Sequence, residues 1–274
     1  MNRLSTEKRA HILSCLVEGN SIRATARITK TVKNTVLKFL VDAGKASSEY
    51  QDKVFHDLPC KRLQCDEIWD FCYAKQKNVP NKLKGQFGYG DVWTWTAICA
   101  DSKLVPSWLV GDRDGDTAYI FIKDLESRLS NKVQLTTDGH KAYLDAVERS
   151  FGVDIDYAML IKIYGVSPES EKRYSPSEII DTERQFIMGD PDPKHISTSY
   201  IERQNLTLRM SMRRFTRLTN GFSKKVENLA HAVSLHFMYY NFARVHRTLR
   251  VTPAMEIGIS DHIWELEEIV ELMN

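Results

Sequence analysis

The sequence predicts an α/β protein in which a mixed sheet is flanked by helices and follows a small all-α unit. Two observations lead to this prediction. Apolar residues recur at helical spacing over the first 45 residues, and after residue 60 three strand-like runs precede a helix and a fourth strand. With 42% apolar and 27% charged residues in a chain of 274, the composition is that of a globular protein.

The first 45 residues are predicted to form three helices. Helix one covers residues 5–18 with Ser5 at its start, and Ser21 caps a second helix over "IRATARI". A third helix is predicted within "TVKNTVLKFLVDAG" and is expected to end at Gly44. A tight turn before the last of three helices is the pattern of a helix-turn-helix domain, here residues 1–45, although a generic three-helix bundle fits the same spacing.

In a helix-turn-helix domain the front of the last helix enters the major groove of DNA. The polar side chains there are Lys30, Thr31, Lys33, Asn34 and Lys38. Of these, the lysines and Asn34 are the candidates for DNA contact.

The next part of the chain is predicted to alternate strands and helices after a polar linker at 46–60. A helix capped by Asp116 follows the third strand, and residues 152–198 are expected to be loop material inserted before the next long helix. The strands are placed near 62–73, 91–101, 104–112 and 132–138, and the helices at 117–130 and 140–151. This order is typical of the ribonuclease-H-like fold, which predicts a domain over 61–257 and leaves an acidic C-terminal helix at 258–274.

Positive charge is concentrated in two parts of the chain. Residues 1–50 carry nine Lys and Arg against four Asp and Glu, and residues 203–250 carry ten against one, whereas the net charge of the whole chain is only +2. Two basic segments in an otherwise acidic chain indicate two surfaces for a polyanion such as DNA, although basic helices that only face solvent remain an alternative.

Three acidic residues stand at positions that favour catalysis. Asp66 lies inside an apolar strand, Asp138 ends a strand just before Gly139, and Glu202 opens a helix. Ser199 also fits a capping box with Glu202, so a purely structural role for Glu202 is an alternative. Carboxylate oxygens are the ligands preferred by Mg²⁺ or Mn²⁺, and two such ions can promote phosphodiester chemistry. The neighbouring Glu67 and Asp70 are expected to matter less.

The motifs "CDEIW", "TTDGH" and "SYIERQNLTLRM" resemble the catalytic motifs of bacterial insertion-sequence DDE transposases, most closely the insertion-sequence-one type. The tail "YYNFARVHRTLRVTPAM" is similar to the end of DDE transposase and integrase domains, so the resemblance spans roughly 60–257. It implies that Asp66, Asp138 and Glu202 are the catalytic, metal-binding residues of a ribonuclease-H-like domain. The zinc-binding N-terminal segment of many relatives is not evident.

The resemblance predicts a transposase that binds element ends, cleaves DNA and joins the 3′-OH to target DNA. Its partner is double-stranded DNA, and a homodimer or higher oligomer is expected on that DNA. A nuclease without strand transfer and a DNA-binding regulator with an inactive catalytic domain remain alternatives. The second basic segment supplies the other candidates for DNA contact, which are Arg203, Asn205, Arg209, Arg213, Arg214, Lys224, Lys225 and Arg247.

The remaining sequence features concern location and zinc. The chain has no long apolar run and no apolar signal core, which predicts a cytoplasmic protein without a membrane span. Its five irregularly spaced cysteines indicate reduced thiols. Zinc binding by the cysteines and histidine near 56–72 stays open, because their spacing lacks the short two-residue gap of structural zinc sites.

Overall fold

A six-stranded mixed sheet forms the centre of the computed structural model, which describes residues 4–165, 178–216 and 219–274. The strand order is β3-β2-β1-β4-β5-β6. Strands β1, β2 and β3 form an antiparallel meander, β4 and β5 run parallel to β1, and β6 returns antiparallel to β5. The strands are β1 (Arg62–Cys72), β2 (Gly90–Cys99), β3 (Ser107–Gly111), β4 (Val133–Thr137), β5 (Ile155–Tyr164) and β6 (Ile179–Met188).

This order and these directions are those of a ribonuclease-H-like sheet, which confirms the predicted fold class. Helices lie on both faces of the sheet. They are α1 (Thr6–Val17), α2 (Ile22–Ile28), α3 (Lys33–Val54), α4 (Gly115–Ser127), α5 (Ala142–Phe151), α6 (Ser199–Ser211), α7 (Val226–Met238), α8 (Pro253–Glu256) and α9 (Leu266–Glu271).

Helices α4 and α5 pack on one face of the sheet, where the buried Trp95 of β2 contacts Phe121 of α4 and Tyr143 of α5. Helix α6 lies on the opposite face, where it contacts β1. Successive residues of a strand point to opposite faces. Even-numbered residues of β1 therefore face α6, whereas odd-numbered residues face α4 and α5.

Side-chain caps start the first helices as predicted. Ser5 Oγ accepts a hydrogen bond from the Lys8 amide (3.2 Å), and Ser21 Oγ accepts one from the Ala24 amide (3.1 Å). The predicted cap at Asp116 is wrong, because Asp114 caps α4 through the Thr117 amide (2.9 Å). Asp116 lies inside the first turn, where a negative charge still interacts favourably with the helix dipole.

Helix α3 does not end at Gly44 but continues to Val54, so residues 46–54 are helical rather than a linker. Gly44 is the point where α3 crosses α7. A Cβ atom at this position would lie 2.4 Å from the carbonyl oxygen of His231 and 2.7 Å from its Cα. The glycine thus permits close helix packing, and it does not terminate the helix.

Polar contacts continue the α3–α7 interface beyond the glycine. Ser234 Oγ donates to the Gly44 carbonyl oxygen (2.8 Å), and Gln51 Nε2 donates to the Ser234 carbonyl oxygen (3.4 Å). Apolar residues of α1 and α3 also belong to the same buried core as the sheet. The three N-terminal helices are consequently built into the rest of the molecule.

The segment predicted as inserted loop contains two ten-residue strands, β5 and β6. The first half of β5 is buried, since it pairs with β4 in parallel, whereas β6 is an exposed edge strand. Sequence patterning missed β6 because its apolar and polar residues do not alternate and the strand has no buried face. Most of the "SPESEKRYSPSE" stretch lies outside the described residues, and "MGDPDPKH" forms the turn after β6.

The acidic C-terminal helix is shorter than predicted. It is the six-residue α9, whose capping box joins Glu265 and Glu268, and it packs against α1. Within the described ranges, no helix has the length and apolar character needed to cross a membrane.

We expect Gly44→Ala to lower the free energy of unfolding by roughly 1–3 kcal/mol, because the added methyl group meets the His231 backbone. Gly115→Ala is the matched control, since nothing lies within 4 Å of a Cβ atom there, and it should be neutral or slightly stabilising. Urea denaturation of both variants tests this. Equal stability of the two variants would contradict a close crossing at Gly44.

Candidate metal centre

Two aspartates come together where the parallel ladder between β1 and β4 ends, with Asp66 in the middle of β1 and Asp138 just after β4. Cys65 of β1 pairs with Thr137, the last residue of β4. The residue that follows Cys65 is Asp66, and the residue that follows Thr137 is Asp138. Asp138 Oδ1 accepts a hydrogen bond from the His140 amide (2.9 Å), which holds the carboxylate at the strand end. The predicted pairing of Asp66 with Asp138 is thereby present in the structure.

Glu67 joins these aspartates. One carboxylate oxygen from each of Asp66, Glu67 and Asp138 lies within 4.8 Å of the others. The sequence analysis expected Glu67 to matter less than the two aspartates, and the structure places its carboxylate beside theirs. The ladder between β1 and β4 ends at Cys65, so the space beyond the end of β4 is open to the long Glu67 side chain as well as to Asp66.

Glu67 is held by partners from the α4 and α5 side. Its side chain is only 1% exposed, and its Oε1 accepts from Arg113 Nε (2.6 Å). Tyr143 OH donates to Glu67 Oε2 (3.1 Å), and His140 Nε2 lies 3.9 Å from Oε1. Burial, followed by the Arg113 charge, lowers the pKa of His140, which favours a neutral imidazole. Glu67 is thus fixed in place by an arginine and a tyrosine.

The cluster carries excess negative potential. Burial raises the pKa of Asp66 to about 7, and the charges of Glu67 and Asp138 add to the effect. The Arg113 guanidinium offsets part of this negative charge. It lies close to Glu67 (2.6 Å), whereas its Nη2 is 4.0 Å from Asp138 Oδ2. Closely spaced, partly buried carboxylates of this kind form a donor set that fits a hard divalent cation such as Mg²⁺ or Mn²⁺.

Helix α6 is clamped to β1 by two side chains of the same strand face. Gln64 Oε1 accepts from the amides of Tyr200 (2.9 Å) and Ile201 (3.1 Å), so it caps the first turn of α6. Asn205 Nδ2 donates to Asp66 Oδ2 (2.8 Å). Glu202 lies between these contact points along the helix. Sequence reasoning missed Gln64, although its position two residues before Asp66 places both on one face.

Glu202 is outside the tight carboxylate cluster, and it binds two other groups. Thr198 Oγ1 and Lys162 Nζ both donate to Glu202 Oε1. The predicted capping box with Ser199 is wrong, because Thr198 is the N-cap residue and Ser199 is already helical. The Glu202 charge still contributes to the raised pKa of Asp66, which indicates electrostatic proximity.

The basic residues near α6 have different environments. Arg213 lies beyond the end of α6 in a short 3₁₀ turn, so it is not on the helix face that carries Glu202. Arg214 is partly buried and donates to Ser223 Oγ (2.6 Å). Asn205 is buried against Asp66 and is not available to DNA. The exposed members of the set are Arg203, Arg213, Lys224, Lys225 and Arg247, whereas Arg209 is half-buried.

The N-terminal candidates are all at the surface. Lys30, Lys33 and Asn34 are exposed around the start of α3, and Lys38 is exposed but pairs with Asp42 (2.6 Å). Lys33 and Asn34 occupy the first turn of α3, where the sequence places the groove-binding residues.

The cysteines do not form a metal site in the described residues. All five are buried free thiols, and the group with metal-binding geometry there is the acidic one. Cys65 and Cys72 of β1 also point to opposite faces of the sheet, since they are an odd number of residues apart.

No protein-family model and no curated protein matches this chain. Among solved structures, a piggyBac transposase synaptic complex with hairpin DNA matches with a TM-score of 0.41 and 10% identity, over 100% of this chain and 71% of that chain. The Mos1 strand transfer complex matches with a TM-score of 0.23 and 9% identity, over 87% of this chain and 76% of that chain. The fold assignment rests on the strand order described above.

We expect Lys162→Met to strengthen Mg²⁺ or Mn²⁺ binding if Glu202 is a ligand, because the substitution removes the ammonium that pairs with Glu202. Lys132→Met is the matched control, since Lys132 pairs with Asp156 (2.6 Å), which does not belong to the cluster of Asp66, Glu67 and Asp138. Isothermal titration calorimetry compares the two. Unchanged metal affinity in Lys162→Met would argue against Glu202 as a ligand.

The buried Asp70 predicts a pH dependence of stability. Burial raises its pKa to about 7, despite the opposing charges of Arg214 and Arg209. An acid with a raised folded-state pKa binds more protons in the folded than in the unfolded state, so its contribution to stability falls as pH rises from about 4 to about 7. Asp70→Asn should therefore raise the free energy of unfolding at pH 8 and change it little at pH 4.

Urea denaturation at both pH values checks the Asp70 prediction. The exposed Asp145, which pairs with Arg149 (3.2 Å), provides the control variant Asp145→Asn. A stability gain of equal size at pH 4 and pH 8 in Asp70→Asn would exclude a raised pKa as the cause.

Proposed function

We propose that this protein is a DNA transposase of the DDE type, which cleaves DNA at element ends and joins the freed 3′-OH to target DNA. The observation that supports it best is the position of α6. Gln64 and Asp66 hold the helix across β1, and this position brings Glu202 near enough for its charge to contribute to the raised pKa of Asp66. Three acids, one within a strand, one at a strand end and one on a facing helix, can supply ligands for the divalent metal ions used in phosphodiester chemistry.

In this proposal Asp66, Asp138 and Glu202 hold Mg²⁺ or Mn²⁺, in a two-ion site. When bound, the ions activate the attacking oxygen and neutralise charge at the phosphate. Glu67 helps to fix the site, because Arg113 and Tyr143 keep its carboxylate against the two aspartates. Asn205 orients Asp66 by donating to one of its oxygens.

The remaining residues of the proposed mechanism bind DNA. The helix-turn-helix domain, residues 1–45, recognises element ends through Lys30, Lys33, Asn34 and Lys38 at the start of α3. Arg203, Lys224, Lys225 and Arg247 contact phosphates nearer to the catalytic domain, residues 61–257. Joining two ends to one target requires two active sites, so we propose a homodimer or higher oligomer on DNA.

The two alternative functions, a nuclease and a DNA-binding regulator, differ from a transposase in the DNA products that they form. A nuclease of the same fold hydrolyses DNA without forming a joined product, and a DNA-binding regulator does neither. The first step is attack by water, and the second is attack by the 3′-OH, so one active site serves both steps in a transposase.

We expect Asp66→Asn, Asp138→Asn and Glu202→Gln each to reduce Mg²⁺-dependent cleavage and joining by at least about 100-fold, because each removes a ligand charge at nearly constant shape. Binding to duplex DNA should change little. The assay uses a duplex that carries the DNA flanking the reading frame, and products are resolved on a sequencing gel.

The exposed Asp145→Asn again serves as the control and should retain full activity. Cleavage without joined product by the unmodified protein would favour the nuclease. Binding with no cleavage would favour the regulator, and full joining by Glu202→Gln would remove that residue from the site.

A further inference from the structure

A cavity of about 540 Å³ lies between the N-terminal helices and the chain that follows α6. One wall is formed by the end of α1, by α2 and by the first half of α3. The other wall is formed by residues 212–214, by residues 220–224 and by α7. Its size is within the range of small-molecule sites, and it is separate from the carboxylate cluster.

The cavity wall is strongly positive. Five cationic side chains line it, and no described carboxylate does. The first basic segment contributes Arg23 and Lys33, and the second contributes Arg213, Arg214 and Lys224. The two positive segments that are far apart in the sequence therefore meet here. Among described residues, Arg23, Lys33, Arg213 and Lys224 form no salt bridge, so their charges are available to an anion.

The rest of the cavity wall combines apolar side chains with a few uncharged polar ones, including one buried histidine. Leucine, isoleucine, valine and methionine side chains contribute to this surface together with the half-buried Phe222 ring, and Asn20, Ser21 and Asn220 add polar groups. Lys224 Nζ lies 3.9 Å from the centroid of that ring, which places a cation directly beside an aromatic face.

His236 of α7 lines the cavity and is only 3% exposed. Neither of its ring nitrogens has a hydrogen-bond partner among the described residues. Burial lowers the pKa of His236 to about 3, so the ring is neutral and offers one donor and one acceptor. Asn228 of the same helix adds an amide to the cavity wall. Buried polar atoms without partners are uncommon in proteins, and a ligand with a donor and an acceptor would satisfy both ring nitrogens.

We propose that this cavity binds one nucleotide, with its base against the apolar wall and its phosphate among the cations. A free phosphate would leave the apolar wall and His236 without partners, and a purely apolar ligand would leave the cations without partners. A nucleobase supplies a flat apolar face together with donors and acceptors at its edge.

Two sources can supply such a nucleotide. One is an unpaired, extrahelical nucleotide of bound DNA, which rests on the proposed function because it requires DNA at the first turn of α3. The other is a free mononucleotide, which does not depend on that function. The chemistry recognised in the cavity is the same in both cases.

The first arm of the test compares duplex DNA that has one unpaired adenosine nucleotide with the same duplex bearing an abasic residue at that point. We expect the base to strengthen binding by about tenfold, measured by fluorescence anisotropy without metal. Asn228→Trp, which fills the cavity, and His236→Phe, which removes its polar atoms, should abolish that preference. Binding to fully paired duplex should be retained, and thermal denaturation verifies that each variant is folded.

Adjacent lysines provide the matched control for charge. Lys224 lines the cavity and Lys225 does not, although both are exposed. Lys224→Ala should weaken binding of the unpaired nucleotide more than binding of paired duplex, whereas Lys225→Ala should affect both DNAs equally.

The second arm titrates dAMP into the protein by calorimetry. The free nucleotide would be identified as the source by two results together. The protein would bind dAMP, and Asn228→Trp would lose that binding, while DNA with the unpaired base would bind no better than DNA with the abasic residue. The proposal is overturned if the protein shows neither the preference for the unpaired base nor binding of dAMP. It is also overturned if these effects persist in both Asn228→Trp and His236→Phe. Neither arm uses cleavage, so loss of Mg²⁺-dependent activity overturns the proposed function without affecting this result.

Discussion

The parallel register between β1 and β4 is the constraint on which the candidate site depends. Because Cys65 pairs with Thr137, the next residue along each is an aspartate, which is Asp66 within β1 and Asp138 just after β4. A shift of one residue would turn Asp66 to the opposite face, away from α6. The raised pKa of Asp66 is the electrostatic result of this register, since burial and two neighbouring carboxylates disfavour its charge.

The same strand also explains how a late segment of the chain reaches the site. Gln64 and Asp66 are buried or half-buried polar residues on the face of β1 that meets α6, and each has a hydrogen-bond partner on that helix. Glu67, on the other face, is satisfied by Arg113 and Tyr143. The polar residues of this central strand thus join both covering layers to the sheet, whereas burial raises the pKa of Asp70.

Local sequence signals predicted the parts of the structure that depend on local chemistry. The caps at Ser5 and Ser21, the central strands and the strand-end position of Asp138 follow from capping, periodicity and a following glycine. Gly44 was misread because a glycine that ends a helix and one that permits two helices to cross look alike in sequence.

Other features depended on contacts between distant segments. The cap that Gln64 provides for α6 joins residues 136 positions apart, and no local pattern contains it. The link between Glu67 and Arg113 is of the same kind. Strand β6 is an exposed edge strand, so it lacks the alternation of buried and exposed residues by which half-buried strands are recognised.

The continuity of α3 has a consequence for distance along DNA. Its 22 residues extend over about 33 Å without a break, and the crossing at Gly44 fixes its second half to α7. If the first turn of α3 reads bases and the carboxylates cut, the protein acts as a ruler of constant length. Spacing between the recognised bases and the cut would then be set by the protein.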